Sequence, residues 1–253
     1  MANKKFSLFK VLPKTVAIVI IVVSIIYSVI NYFNEPPHIK YLAFGIDIPQ
    51  GYGIHGIDVS RYQKIINWKD VKEMEVKNIK IGFAFIKATE GTESVDQHFR
   101  KNWAAAQKVS ITKGAYHYFI AGESGKAQAK NFTQIVKLKV GDLPPVLDVE
   151  EIYKSTHTNL LAQVNDWLAE VENYYSVKPI IYSNVHFYNK YLTSLKNYPV
   201  WIAHYNQRNK PRTDNEWLFW QHNEKGRVNG IKTPVDFNVF AGDSFDFKNL
   251  LIK

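Results

Sequence analysis

Cysteine is absent from all 253 residues. That absence excludes disulfides, thiolate nucleophiles and cysteine-ligated metal centres together. The eight histidines include no H-E-x-x-H or H-x-H arrangement, so no metal ligand set and no cofactor are expected. No serine stands in a G-x-S-x-G elbow, which argues against acyl transfer at Ser60 or Ser183. The run GESG at 122–125 is too short to cradle a phosphate. The chain also lacks an internal repeat and any low-complexity segment.

What is present is apolar and aromatic: 46% hydrophobic and 14% aromatic residues, enough for one large packed domain and too much for a disordered chain. Six Trp and fifteen Tyr supply rings that could stack on sugars, although core packing accounts for most such residues. The net charge of +9 is compatible with a polyanionic partner. No Lys/Arg cluster follows a helix face, so nucleic acid is not an expected partner.

The charge is front-loaded, with Lys4, Lys5, Lys10 and Lys14 and no acid in residues 1–14. Residues 15–33 (TVAIVIIVVSIIYSVINYF) then carry no charge. As a helix they would extend ~28 Å, close to the hydrocarbon thickness of a bilayer. The lysines before the run predict a cytoplasmic N-terminus, and NYFNEPPH after it offers no small-x-small cleavage site. A single-pass signal anchor is therefore expected, inserted in the cytoplasmic membrane with the rest of the chain outside. Residues 34–52, with Pro36, Pro37, Gly45, Pro49 and Gly51, read as a tether whose segment 41–48 could rest on the domain. Residues 53–253 form the remaining domain, expected to be monomeric.

From Gly53 short apolar strands alternate with amphipathic helices. Strands are predicted at 54–59, 81–86, 114–120, 146–150 and 179–183. Helices are predicted at 67–76, 98–109, 124–136, 158–175 and 186–195, with Asn67 as an N-cap. Three strands, 200–205, 217–222 and 235–240, follow without a helix between them. Five βα units and three strands make an α/β barrel.

In a parallel barrel, reactive groups gather at the C-terminal strand ends. Those ends supply Asp58, the run Lys87-Ala88-Thr89-Glu90, His117 with Tyr118, Asp148 with Glu150, Tyr182 with Ser183, His204 with Tyr205, and Gln221 with His222. Asp148 and Glu150 are two apart on a strand, so they project from one face, roughly 6.5–7 Å apart along the chain. Two carboxylates that close repel, one pKa rises, and a proton stays available near neutral pH. Glycosidic bond cleavage needs such a pair. Asp236 begins its strand, but a hairpin between the last two strands would bring it to the same rim. Its alternative is a turn residue after Pro234.

Gly56-Ile57-Asp58-Val59-Ser60 with Gln63, then Lys87-Ala88-Thr89-Glu90-Gly91, Gly114-Ala115-Tyr116-His117, Asp148-Val149-Glu150, Tyr182-Ser183 and Val235-Asp236 together resemble glycoside hydrolase family 25, the lysozymes (N-acetylmuramidases) of bacteria, phages and fungi. The resemblance covers about 53–240 and implies a TIM-like (β/α)5(β)3 barrel, here preceded by one N-terminal transmembrane helix. It implies cleavage of the β-1,4 bond between N-acetylmuramic acid and N-acetylglucosamine in peptidoglycan glycan strands. By the same resemblance Glu150 is the general acid, and Asp148 is a nucleophile or a partner of the substrate's N-acetyl group. Asp58 and Asp236 are further groove acids, while Tyr116 and Tyr182 contact sugar. His117, Glu90, Tyr205 and Gln221 join the expected substrate-binding set from their strand-end positions. The competing reading is a membrane-tethered barrel that binds wall glycan without cleaving it.

Overall fold

The structure is a computed structural model describing residues 8–34 and 39–253. It divides into two units, residues up to Pro37 and His38–Lys253. The first contains one 27-residue helix, α1 (Leu8–Asn34). Its side chains are described from Lys14 to Ile30, and Val16, Ile18, Val19, Ile20, Ile21, Val22 and Val23 are all exposed. Among the described residues no helix is long and apolar enough to cross a membrane. The expected span at 15–33 runs past the last of those side chains. Lys4, Lys5, Pro36 and Pro37 lie outside the described residues, as do the side chains of Lys10, Tyr32 and Phe33.

In the second unit the chain starts with strands β1 (Ile39–Tyr41) and β2 (Ile46–Ile48). These pair antiparallel inside the stretch read as a tether. Tyr41, Phe44, Ile46 and Ile48 are buried, and the Phe44 ring meets Phe237 edge-on at 5.2 Å. Alternation at 39–48 is too short to distinguish a strand from a linker; burial against the barrel decides it.

The barrel follows as β3 (His55–Val59), α2 (Trp68–Glu73), β4 (Glu75–Val76), β5 (Ile79–Glu90), β6 (Ser94–Val95), α3 (Phe99–Lys108), β7 (Thr112–Tyr118), α4 (Gly125–Ile135), β8 (Val146–Asp148), α5 (His157–Tyr175), β9 (Ile180–Asn184), α6 (Val185–Phe187), β10 (Val200–Ala203), β11 (Phe219–Gly226), β12 (Val235–Phe240) and α7 (Ser244–Leu250). Neighbours run β3-β12-β11-β10-β9-β8-β7-β5, and β3 pairs with β5 to close the ring. β12 is antiparallel to both β11 and β3, and the other pairings around the ring are parallel. The predicted barrel order is therefore present. The helix expected at 186–195 breaks up after α6 into a π turn (Tyr188–Leu192) and a 3-10 turn (Thr193–Leu195).

Strand alternation splits the core in two. Phe83, Phe85, Val146, Ile180, Trp201, Phe219 and Phe240 fill the barrel interior. Ile57, Ile86, Leu147, Ile181 and Ile202 face outward, where Val71, Phe132, Leu160, Val164 and Trp167 of the helices cover them. Two glycines make the inner layer possible. A Cβ at Gly56 would lie 2.5 Å from the Phe83 ring, and one at Gly114 would lie 2.6 Å from Phe85. The lower end is sealed by α7, whose Phe247 ring lies 5.7 Å from Phe83 and 5.2 Å from Phe240.

One buried ion pair ties the lower rim. Lys113 on β7 pairs with Asp142, their side chains 4% and 6% exposed, and the ammonium also lies 4.4 Å over the Trp103 ring. Removing one partner would strand the other charge in the core. We predict that Asp142→Ala destabilises the fold by about 3–5 kcal/mol, and that adding Lys113→Met restores part of the loss. Urea unfolding of both variants checks this. An Asp142→Ala protein as stable as the parent would show that the pair contributes nothing.

Candidate active site

The inward positions change character at the upper mouth of the barrel. Above Trp201 and Phe85 the same faces carry Asp58, Asp148, Glu150, Tyr116, Tyr182, Gln221, Asp236 and Asn238. Alternation positions Asp148 and Glu150 together, since Leu147 and Val149 between and beside them belong to the outer core.

Asp58 is the penultimate residue of β3 and is 7% exposed. Its Oδ2 accepts hydrogen bonds from Gln221 Nε2 at 2.8 Å and Asn238 Nδ2 at 2.7 Å. Gln221 Oε1 in turn accepts from the hydroxyls of Tyr182 (2.8 Å) and Tyr205 (2.7 Å). Asn238 Oδ1 accepts from Trp201 Nε1 at 2.8 Å. Each amide thus has its orientation set by donors on its oxygen, and both aim an N–H at Asp58. Gln221, expected to bind substrate, holds Asp58 in place. Asn238 was not anticipated, although it follows Asp236 by two residues, the same spacing that drew attention to Asp148 and Glu150.

Asp236 is the β12 register partner of Asp58, so the antiparallel pairing does bring it to the mouth. Its β11 neighbour is not Gln221, which pairs with Asn238 in the regular part of the β11–β12 ladder, before the bulges that follow Gln221. Burial raises the Asp58 pKa to about 6 against the opposing pull of its amide donors. Burial, then the charges of Asp58 and Glu224, raise Asp236 to about 9. This pair therefore holds one proton at neutral pH, on Asp236, which donates to Asp58.

The second pair behaves alike. Burial first and the Glu150 charge second push Asp148 far above the carboxylate range, with Lys87 opposing. Burial also raises Glu150, while a hydrogen bond from Asp148 pulls it down. Asp148 Oδ1 is buried and has no N–H or hydroxyl donor among the described residues. Burial favours the neutral form of both carboxyls, and more strongly that of Asp148, the more deeply buried of the two. The four acids thus divide into two pairs, each with its carboxyls raised by burial.

The remaining expected residues separate. Tyr116 faces inward between Lys87 and Val146, and its phenol is held well above its usual pKa by burial and the nearby Asp58 and Asp148 charges. Tyr205 is lifted similarly by burial, then by Asp236 and Asp58. Glu90 reaches the rim through a β-bulge. Residues 87 and 90 would face opposite ways on a regular strand, but the β5–β7 register slips between Lys87 and Thr89. Lys87 Nζ then meets Glu90 Oε2 at 2.7 Å and lies 4.6 Å over the Tyr118 ring. Lys87 is the cation facing the Asp148–Glu150 pair.

His117 does not belong to the site. One residue from Tyr116, it points to the opposite face. Its Nδ1 accepts from Thr89 Oγ1 (2.7 Å), its Nε2 donates to Gln128 Oε1 (3.1 Å), and its ring stacks on Trp167 of α5 at 5.7 Å. Burial lowers its pKa to about 4, so it is neutral and structural. The strand-end rule found the right residue pairs but could not by itself say which member faces in.

The loop residues of the G-I-D-V-S motif act as supports. Ser60 Oγ accepts from Tyr62 N, Gln63 Oε1 accepts from Ser60 N at 2.9 Å, and Gln63 Nε2 donates to Pro234 O at 3.0 Å. The last bond fixes the turn that precedes Asp236.

We predict that Asp236→Asn lowers turnover by about 10- to 100-fold, roughly 1.4–2.7 kcal/mol of barrier, without unfolding the barrel. The amide preserves the donor that Asp58 now receives. A carboxyl whose folded pKa is raised contributes stability below its unfolded pKa and loses it as pH rises through the folded value. The parent should therefore melt progressively lower as pH climbs toward 9, and Asp236→Asn should lose less. Melting curves from pH 5 to 10 beside an activity assay check both parts; full activity with a lowered melting temperature would make Asp236 a turn residue.

A barrel of five βα units and three strands with paired acids at its mouth has the groups that glycosidic bond cleavage uses. The family model for glycosyl hydrolases family 25 matches residues 57–231, and the chain belongs to that family. It is a glycoside hydrolase. Lysozyme M1 of Streptomyces globisporus is 34% identical over 208 residues, 76% of this chain and 69% of that protein. An uncharacterized Escherichia coli K12 protein, YegX, is 48% identical over 201 residues, 79% of this chain and 74% of its own length. The structure of a family 25 glycosyl hydrolase from Bacillus anthracis superposes with a TM-score of 0.73 at 31% identity, covering 85% of this chain and 98% of that one.

Proposed function

We propose that this protein is a muramidase that cleaves the β-1,4 bond between N-acetylmuramic acid and N-acetylglucosamine in peptidoglycan. Glu150 is the general acid in this reading, and Asp148 faces the developing positive charge. The observation that carries it is the Asp148–Glu150 pair, a buried and a half-buried carboxyl whose pKa values burial raises, with the Lys87 ammonium facing them. Glycosidic cleavage requires one protonated and one ionised carboxyl. A proton on Asp148 has the length of one hydrogen bond to travel. A sugar carbon gaining positive charge beside Asp148 favours its ionised form, and the proton then moves to Glu150, next to the leaving oxygen. Asp58 and Asp236 hold the opposite wall, with Tyr116, Tyr182, Tyr205 and Glu90 around the bound sugars.

The test uses purified peptidoglycan. Borohydride reduction of the digest identifies which sugar bears the new reducing end. Reduced N-acetylmuramic acid supports the reading; reduced N-acetylglucosamine, or no new ends, rejects it.

The same proposal includes an anchor at residues 15–33. Its support is the uncharged run behind four lysines and the apolar side chains exposed on every face of α1, which are stable only in lipid or against a partner. The expected result is recovery of the full-length chain, with its original N-terminus, from the cytoplasmic membrane. N-terminal sequencing of that fraction checks it, and a mature chain starting near Asn34 rejects it.

A further inference from the structure

Beside the acid pair, the loops after β7 and β8 enclose an open hollow of ≈ 610 Å³ lined by Ile120, Ala121, Tyr153, Lys154, Ser155 and Thr156, among others. Tyr153 links the hollow to the mouth. Its hydroxyl lies 3.2 Å from that of Tyr118. Tyr118 is the register partner of Asp148 and lies under the Lys87 ammonium. Tyr153 is also held at φ +50°, in the left-handed region, although it is not glycine, with the residue 47% exposed. Backbone strain that presents an aromatic ring to solvent points to a ligand contact.

The chemistry of the walls narrows the ligand. Ile120 and Ala121 form an apolar ledge, the Tyr153 ring a flat side, and Ser155 and Thr156 neutral polar groups. Lys154 is the one charged residue lining the hollow among the described residues, and it makes no ion pair there. An aromatic and apolar surface with a single unpaired cation suits a short peptide that bears a carboxylate. A muramyl sugar placed against Asp148 and Glu150 carries such a peptide on its lactyl ether, and the peptide must leave the cleft sideways.

Resting on the muramidase reading, we propose that this hollow is a subsite for the acidic stem peptide of the muramyl residue, with Tyr153 packing on the peptide and Lys154 pairing with its carboxylate. The subsite would set a preference for peptide-bearing glycan over bare glycan.

The experiment compares two substrates with the full-length protein: purified peptidoglycan, and the same glycan after an amidase has removed its stems. New reducing ends give kcat and KM for each. The parent should favour peptide-bearing glycan by about tenfold in kcat/KM, a factor one good charge-assisted contact supplies. Lys154→Glu should bring that ratio close to one through KM, with cleavage of bare glycan unchanged. Tyr153→Ala should narrow the ratio in the same way. Equal use of both substrates by the parent overturns the subsite, as does a Lys154→Glu protein that keeps the preference or loses both activities by the same factor. Failure to cleave either glycan overturns the muramidase reading itself, a distinct outcome.

Discussion

Glu150→Gln is expected to lose about 10²–10⁴-fold in turnover, equivalent to roughly 3–5 kcal/mol of barrier. The amide retains the shape of the carboxyl and can still hydrogen-bond to Asp148. It cannot deliver a proton to the leaving oxygen, so only the steps that need that proton fail. Glycan binding and the melting temperature should therefore stay close to those of the parent. Burial raises the Glu150 pKa, so an uncharged replacement relieves a desolvation cost in the folded state. Stability at and above neutral pH should hold or rise slightly. Turnover by reducing-end release, glycan pull-down and a thermal melt separate these effects. Retention of more than about a tenth of parental turnover lies outside the general-acid range; the acid would then be sought at Asp58, Glu90 or Asp236.

Asp148→Asn should be comparably severe, by about 10²–10³-fold, for two coupled reasons. Asp148 no longer offers a negative charge to an oxocarbenium-like or N-acetyl-derived cation. The asparagine keeps a hydrogen-bond donor to Glu150 but carries no proton that can pass to it, so Glu150 loses the supply of the proton it must deliver. The acid is then lost along with the electrostatic partner. Residual activity of Asp148→Asn should decline at a lower pH than that of the parent as the solution is made alkaline. The folded-state pKa of Asp148 is far above its unfolded value, so the parent loses stability as pH rises and the variant loses less. A pH–rate profile with a parallel melting series measures both shifts. An unchanged alkaline limb in Asp148→Asn would show that the two carboxyls do not share a proton.

Much of this protein was legible in the order of its residues, because the barrel obeys local rules. Apolar alternation located the eight barrel strands, and helical spacing located α2 to α5, since burial on one face imposes those periods whatever the partner. The spacing of Asp148 and Glu150 placed two carboxyls on one face, because a strand repeats every two residues. The antiparallel last strand followed from the missing helix before it. Spatial facts required the tertiary structure. Tyr116 and His117 end the same strand, and only ring closure and the covering helices assign the first to the mouth and the second to the outer core. Asn238 and Gln221 are distant in sequence from Asp58, yet they converge on its Oδ2 because β12 lies between β11 and β3. The bulge that swings Glu90 beside Lys87 belongs to a pairing register, and a register exists only between two strands. Which of the two carboxyls is the more strongly biased toward its neutral form was likewise undetermined in the sequence. It depends on how deeply each carboxyl is buried, and burial is a property of the assembled barrel.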